Sequence, residues 1–249
     1  MKAMVLAAGL GTRLRPLTDD RPKALVEVGG RTLLEITLTR LRNCGIREVI
    51  VNIHHFSDLV VSFLQAHNNF GMRVDVSRED LLLDTGGGLK KASWFFLEEP
   101  VASDEPFLLH NVDVISTIDF ERMLKQHTEN RALATLAVQK RDSSRQLLFD
   151  ESLQLCGRRA GRNRQPEMVG TAPQTEELAF GGIHIISARM LPLMTENGVF
   201  SIIDTYLRLS GSGEKINGFR ADEYYWRDLG KAADLQQASR DMEQGIFSA

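Results

Sequence analysis

Cysteine is nearly absent from this chain. Cys44 and Cys156 stand far apart, with no Cys-x-x-Cys pair. This excludes a disulfide framework and a cysteine-based zinc site, and two lone thiols fit a reducing, cytoplasmic setting. Long apolar runs are also missing: nothing approaches the roughly 18 consecutive residues of a membrane span, and the apolar N-terminal run is too short for a secretory signal. Neither charge dominates, since 30 Lys and Arg face 33 Asp and Glu for a net charge of −3. A general affinity for nucleic acid or an anionic membrane is therefore not expected, and any anion site must be local. No repeat punctuates the sequence, and no hexapeptide period follows Gly230, so no C-terminal β-helical domain is expected.

What is present is ordinary globular composition, 43% hydrophobic and 25% charged over 249 residues. That length fits one α/β domain spanning 1–249, with a first half to about residue 140 and a second from about 141. Periodicity alternates through the first half. Ala3 to Ala8 reads as a buried strand, and Thr32 to Cys44 as a helix with Leu34, Leu38 and Leu41 on one face. Strands are predicted at Glu48–Ile53, Arg73–Ser77, Phe107–Leu109 and Ala134–Gln139. Helices are predicted at Asp58–His67 behind an N-cap Ser57, at Gly88–Phe96 and at Phe120–Glu129. This order predicts a Rossmann-like, mostly parallel mixed sheet with helices on both faces. Beyond Asp142 come a hairpin around Asp150-Glu151-Ser152, an irregular loop from Gly157 to Glu177, and a strand from Leu178 to Ile186 broken at Gly181-Gly182. Helices near Ala188–Thr195, Ile202–Leu209 and Ala232–Gly245 complete the reading.

The first strand runs into Gly9-Leu10-Gly11-Thr12-Arg13 and, past Pro22, into Lys23. Glycines at a strand end let several backbone N–H groups converge on phosphate oxygens. Arg13 and Arg15 add planar forks, and Lys23 adds a point charge. Two other nucleotide folds are excluded. The dinucleotide fingerprint needs a third glycine where Leu14 stands, and no Gly-Lys-Ser or Gly-Lys-Thr follows the strand. Gly-x-Gly-Thr-Arg-Leu-Arg-Pro-Leu-Thr followed by Pro-Lys resembles the signature of the sugar-1-phosphate nucleotidylyltransferases, or NDP-sugar pyrophosphorylases. The resemblance extends over nearly the whole chain and implies the nucleotide-diphospho-sugar transferase fold.

It also implies a reaction, transfer of a nucleoside monophosphate from an NTP to a sugar 1-phosphate. The attacking phosphate oxygen is already anionic, so catalysis reduces to positioning and charge neutralisation, with Mg²⁺ bound through one or two carboxylates. By resemblance Arg13 braces the β- and γ-phosphates, and Lys23 the α-phosphate and the incoming sugar phosphate. Leu6, Ala8, Gly9, Gly11 and Thr12 join Arg13 on the nucleotide. Asp84-Thr85-Gly86-Gly87-Gly88 resembles the loop that contacts base and ribose, so Asp84, Gly86, Gly87 and Gly88 belong to the nucleotide site. Three successive glycines are unfavourable in a helix, which fits a loop approached by a flat ligand.

Asp113, in Asn111-Val112-Asp113, resembles a metal-binding Gly-Asp with Val at the Gly position, although an Asp there also suits a cap for Ile115 onward. Asp228, in Trp226-Arg227-Asp228-Leu229-Gly230, resembles the second metal ligand of Trp-x-Asp-x-Gly; an Asp favoured by a helix dipole is the alternative. Asn111 and Gly182 are the sugar-side candidates. The Glu-Lys-Pro motif whose lysine meets the sugar phosphate in many relatives is missing, leaving Arg158, Arg159, Arg162 or Arg164 as substitutes or as a solvated basic loop. His54-His55 point to opposite faces of an extended segment and suit a structural strand end.

Short length and Asp-Thr-Gly-Gly-Gly most resemble the N-acetylmuramate-1-phosphate uridylyltransferases. Mannose- or heptose-1-phosphate guanylyltransferases come second, and phosphocholine cytidylyltransferases share the N-terminal signature. A silent homologue that senses NDP-sugars is disfavoured by the presence of Arg13, Lys23, Asp113 and Asp228. The expected assembly is a monomer or small homo-oligomer.

Overall fold

The computed structural model describes residues 1–97, 104–160, 165–170 and 172–247. The chain opens with β1 (Ala3–Leu6), crosses the glycine loop, and forms a small ribbon from β2 (Glu27–Val28) and β3 (Arg31–Thr32). Helix α1 (Leu33–Asn43) starts where the Thr32 side chain accepts the Glu35 N–H at 3.1 Å. Then follow β4 (Glu48–Ile53), α2 (Ser57–Ala66), β5 (Arg73–Arg78) and α3 (Asp84–Lys91). The α2 cap differs from expectation: left-handed Phe56 holds that position, and the Ser57 hydroxyl donates back to the His54 carbonyl at 2.6 Å.

Next come β6 (Phe107–Asn111), β7 (Val114–Ser116), α4 (Phe120–Glu129), β8 (Ala134–Gln139), β9 (Arg145–Phe149), β10 (Leu155–Ala160) and β11 (Glu167–Met168). The expected irregular loop from Gly157 is thus strand at both described ends. Arg158 pairs across to both Leu147 and Glu167, because backbone groups flanked by sheet on two sides satisfy one another there. The chain ends through β12 (Glu176–Ile186), α5 (Ile202–Gly211), β13 (Ile216–Arg220), β14 (Trp226–Asp228) and α6 (Ala232–Glu243). Strand β12 is continuous where a break was expected. It absorbs Gly181-Gly182 as a register shift against β8, a bulge rather than an end.

Ten strands form one mixed sheet with order β11-β10-β9-β12-β6-β1-β4-β5, and β8 and β13 extend it from β12. The strands around β1 are parallel: β6, β1, β4 and β5 run together. The β9 to β12 portion is antiparallel. Alternation along β1 sends Ala3 and Val5 into a core shared with α1, α2, α4 and α6, while Met4 enters a second core with α3 and α5. Helices therefore cover both faces, and the carboxyl ends of β1 and β6 open onto one crevice. Among the described residues no helix is long and apolar enough to cross a membrane.

Candidate active site

The loop after β1 is shaped by Gly11, whose φ of +64° lies in the left-handed region. A Cβ there would come within 2.9 Å of the Thr18 methyl and 3.1 Å of the Lys23 Cβ, so the loop is packed directly on Lys23. The Gly11 carbonyl accepts the Leu14 N–H at 2.8 Å and the Thr18 hydroxyl at 3.0 Å, closing the short helical turn Thr12–Leu14 that carries Arg13. Lys23 is buried, and its ammonium donates to the Asp113 carboxylate. The two are 90 residues apart in sequence. Asp113 occupies the tight turn between β6 and β7, and its carboxylate bonds this lysine rather than capping Ile115.

Asp228 arrives by a separate route. β14 pairs antiparallel with β7, setting Asp228 opposite Val114 and so beside Asp113. The Leu229 N–H donates to the Asp113 carbonyl at 2.8 Å and locks that adjacency. Asp228 lies in a strand, whereas Lys231 holds the N-cap of α6, so Asp228 does not serve that helix. Its Oδ1 is buried without a hydrogen-bond partner. Burial, and then repulsion from Asp113, push its carboxyl above the ordinary value, against the opposing pull of Lys23 and Arg13. Arg13 reaches the same corner: a Cβ on Gly230 would sit 2.6 Å from Arg13 Nη2 and 2.8 Å from Asp228 Oδ1. A side chain at 230 would have to push both groups from these positions.

These groups suit a divalent cation. A buried carboxylate oxygen without a partner, next to a second carboxylate, is a donor set with a ligand position to fill. Among the described residues no group of three or more His, Cys, Asp or Glu could hold a metal. Two carboxylates completed by substrate oxygens and water are what Mg²⁺ uses at phosphates.

A cavity of about 500 Å³ above β1 is lined by Leu6, Ala8, Gly9, Gly11, Thr12, Arg13, Lys23, Asp84, Asn111 and Asp113 among others. A second, of about 780 Å³, shares Asp84, Thr85 and Asn111 with the first and is also lined by Asp228. Gly182 has a φ of +73°, and a Cβ on it would lie 2.8 Å from Asn111 Nδ2. The bulge in β12 thereby leaves the Asn111 amide its room, with Oδ1 buried and unpartnered.

The glycine run requires correction. Gly86, Gly87 and Gly88 are buried inside α3, and the helix begins at Asp84 rather than Gly88. The Gly86 and Gly87 N–H groups donate to the Phe200 carbonyl at 3.0 and 3.3 Å, so neither is free for a ligand. A Cβ on Gly86 would enter the Phe200 ring, one on Gly87 would strike the Gly198 carbonyl, and one on Gly88 would lie 2.7 Å from both Asn52 and Glu79. Their smallness serves packing; Asp84 and Thr85 are the residues of this motif that reach the cavity.

Two residues outside the sequence reading hold the site together. Asn52 at the end of β4 accepts the Ala7 N–H through Oδ1 at 2.8 Å and donates through Nδ2 to Glu79 at 2.5 Å. Glu79, only 4% exposed, also accepts the Leu83 N–H at 2.9 Å. This links the glycine loop after β1 to the segment carrying Asp84. An Asn among the apolar residues Val49, Ile50, Val51 and Ile53 of β4 was the available signal. The basic substitutes resolve as ion pairs: Arg158 with Glu167 and Asp204, and Arg159 with Glu177 at 3.0 Å. Arg162 and Arg164 lie outside the described residues. His54 bonds the Glu79 carbonyl through Nδ1 at 2.8 Å, a structural contact at the strand end.

The sequence model of the nucleotidyl transferase family matches residues 2–147. Over 102 residues, 40% of this chain, the sequence is 51% identical to the N-acetylmuramate alpha-1-phosphate uridylyltransferase of Caulobacter vibrioides. Over 143 residues, 57% of the chain, it is 34% identical to a mannose-1-phosphate guanylyltransferase, described as probable, of Oryza sativa subsp. japonica. These stretches span 42% and 39% of the relatives' own lengths. The crystal structure of an apo UDP-glucose pyrophosphorylase superposes with a TM-score of 0.78 over 99% of each chain at 16% identity, a likeness of fold. With its parallel β6-β1-β4-β5 core, its glycine loop and this match over more than half its length, the chain belongs to the nucleotidyl transferase family.

Proposed function

We propose that the protein transfers a nucleoside monophosphate from an NTP to a sugar 1-phosphate, releasing pyrophosphate. The observation that carries this reading is the convergence of Arg13, Lys23, Asp113 and Asp228 from four separate segments where two adjoining cavities meet, the first three lining one cavity and Asp228 the other. Two cations suit a triphosphate, and two adjacent carboxylates, one with a buried unpaired oxygen, suit the cation that accompanies it. Asp113 and Asp228 would hold Mg²⁺, which when bound supplies charge neutralisation at the phosphates.

The remaining chemistry belongs to side chains and backbone. The loop from Ala8 to Thr12 orients the triphosphate. Arg13 offsets the charge that gathers on the leaving pyrophosphate, and Lys23 that on the α-phosphate. An oxygen of the sugar phosphate forms the new bond to the α-phosphorus as the bond to the β-phosphate oxygen breaks. No proton has to be removed from the nucleophile, so the reaction needs no general base. The cavity on the far side of Asn111 receives the sugar.

The favoured pair is UTP with N-acetylmuramate 1-phosphate or a related sugar phosphate, on the strength of the 51% identity to the Caulobacter uridylyltransferase. GTP is the second reading. Asp84 lines the nucleotide cavity, and its carboxylate can accept from the N1–H and N2–H₂ of guanine. The free thiols Cys44 and Cys156 favour a cytoplasmic location. A pyrophosphate-release assay crossing UTP, GTP, dTTP, CTP and ATP with N-acetylmuramate, N-acetylglucosamine, glucose, mannose and heptose 1-phosphates tests the proposal. UTP is expected to exceed GTP by about 10-fold in kcat/KM, some 1.4 kcal/mol of transition-state preference. Preference for GTP would move the protein to the guanylyl reading, and no release with any pair would end the transferase reading.

A further inference from the structure

Four arginines line the cavity beyond Asn111, and they are not equivalent. Arg158 and Arg159 are engaged by carboxylates, and Arg145 is exposed. Arg141, two residues past β8, is partly buried, and among the described residues no carboxylate lies within ion-pair distance of it. Its placement is nevertheless rigid. The guanidinium carbon lies 3.9 Å from the centre of the Trp226 ring. Nη2 donates to the Phe180 carbonyl at 2.9 Å, and the Arg141 carbonyl accepts from Gln146 Nε2 at 3.0 Å. The Trp226 ring is itself held, its Nε1 donating to the Gly181 carbonyl at 2.8 Å. Yet Arg141 Nε is buried with no hydrogen-bond partner.

A buried, oriented N–H left unsatisfied beside a cavity marks a missing acceptor. The location narrows what that acceptor is. Trp226 and Asp228 are alternate residues of β14 and so face the same side of the ribbon. Arg141 and Asp228 line the same cavity and attract one another, so the stacked guanidinium stands on the acceptor side of the carboxylate pair. A planar fork fixed on an aromatic face matches an oxyanion bidentately, with little ordering left to lose on binding.

We propose that Arg141 binds the phosphate of the sugar 1-phosphate and holds it beside Asp228, with Trp226 as the residue that positions the guanidinium. This rests on the transferase reading above. Lys23 and Arg13 are then left to the nucleotide, and the two substrates have separate cations.

Direct titration of the full chain tests it. The ligands are UTP with Mg²⁺, N-acetylmuramate 1-phosphate, N-acetylglucosamine 1-phosphate, mannose 1-phosphate and unphosphorylated N-acetylmuramate. The proteins are wild type, Arg141→Gln and Arg141→Lys. Arg141→Gln is expected to weaken the bound sugar 1-phosphates by about 10- to 100-fold, the scale of a hydrogen bond to a charged group, with UTP changed less than about 2-fold. Arg141→Lys keeps the charge without the fork and should fall between. Equal weakening of UTP would reveal a structural role, and unchanged sugar phosphates would overturn the assignment; either leaves the transferase reading standing. Weakening confined to the two N-acetylmuramate ligands would assign Arg141 to the lactyl carboxylate and overturn the phosphate proposal. A wild-type protein that binds UTP but none of the sugar phosphates would defeat the acceptor reading and this inference together.

Discussion

Replacing Asp228 by Asn should remove turnover and, at the same time, make the protein more stable. The carboxylate has a buried oxygen without a partner and a second carboxylate, Asp113, beside it. Lys23 and Arg13 oppose this, but burial and repulsion win, since the carboxyl is pushed above its ordinary value. The folded state therefore holds the Asp228 proton more tightly than the unfolded chain does. Ionisation at neutral pH costs stability, and the cost disappears as pH falls below the raised value. A buried polar group left unpaired costs about 1–3 kcal/mol. Partial exposure argues for the lower end, about 1 kcal/mol, or some 2–4 °C in Tm for a chain of this size. Thermal unfolding in EDTA without substrates should thus show Asp228→Asn melting higher at pH 7.5, with the gap narrowing towards pH 4. Pyrophosphate release at saturating Mg²⁺ should fall below a few per cent of wild type. A variant that melts several degrees lower, or one that retains near-normal turnover, would refute the reasoning, because a structural Asp is stabilising and a functional one is not.

Three further outcomes follow from other parts of the molecule. Gly87→Ala should lower stability by about 2–3 kcal/mol, read as a lower urea midpoint, because its Cβ meets the fixed Gly198 carbonyl rather than a mobile side chain; an unchanged midpoint would contradict this. Glu79→Gln should raise the nucleotide KM about 10-fold with the sugar phosphate KM unchanged, since one amide oxygen cannot replace both carboxylate bonds to Asn52 and Leu83; equal effects on both substrates would refute that local role. Burial pushes His110 and His184 down to about 3 and His127 to about 4, so the unfolded chain, with histidines near 6.5, takes up protons that the folded one refuses. Stability should therefore fall as pH drops from about 6.5 towards 4, by up to about 4 kcal/mol per pH unit for the three together, and a urea midpoint flat between pH 7.5 and 5 would contradict it.

The first half of the fold was legible because its strands are short apolar runs and its helices carry clear periodic faces. Glu48–Ile53, Phe120–Glu129 and Ala134–Gln139 match the observed elements residue for residue. Strand β10 was not legible, since Arg158 and Arg159 look like loop residues until Glu167, Asp204 and Glu177 are brought to them. The glycine run misled for a related reason. Three glycines do weaken a helix, but here their cost is offset by close packing against Phe200, Gly198 and Asn52, contacts that only the folded chain creates. Among site residues, Arg13, Lys23, Asp113 and Asp228 stood out through local motifs, and the structure brings them together. Asn52, Glu79 and Arg141 sit in no motif and acquire meaning from partners the fold brings to them, Glu79 for Asn52 and Trp226 for Arg141, or from an N–H left without one.

Phosphorus NMR of a reaction containing UTP, N-acetylmuramate 1-phosphate, Mg²⁺ and the wild-type chain tests the central claim most directly. The account predicts loss of the sugar phosphate signal, two coupled resonances of a new sugar-linked diphosphate and an equal amount of free pyrophosphate. All three changes should be missing with Asp113→Asn or Asp228→Asn. Release of pyrophosphate or orthophosphate while the sugar phosphate remains intact would mean hydrolysis rather than transfer, and would contradict the account.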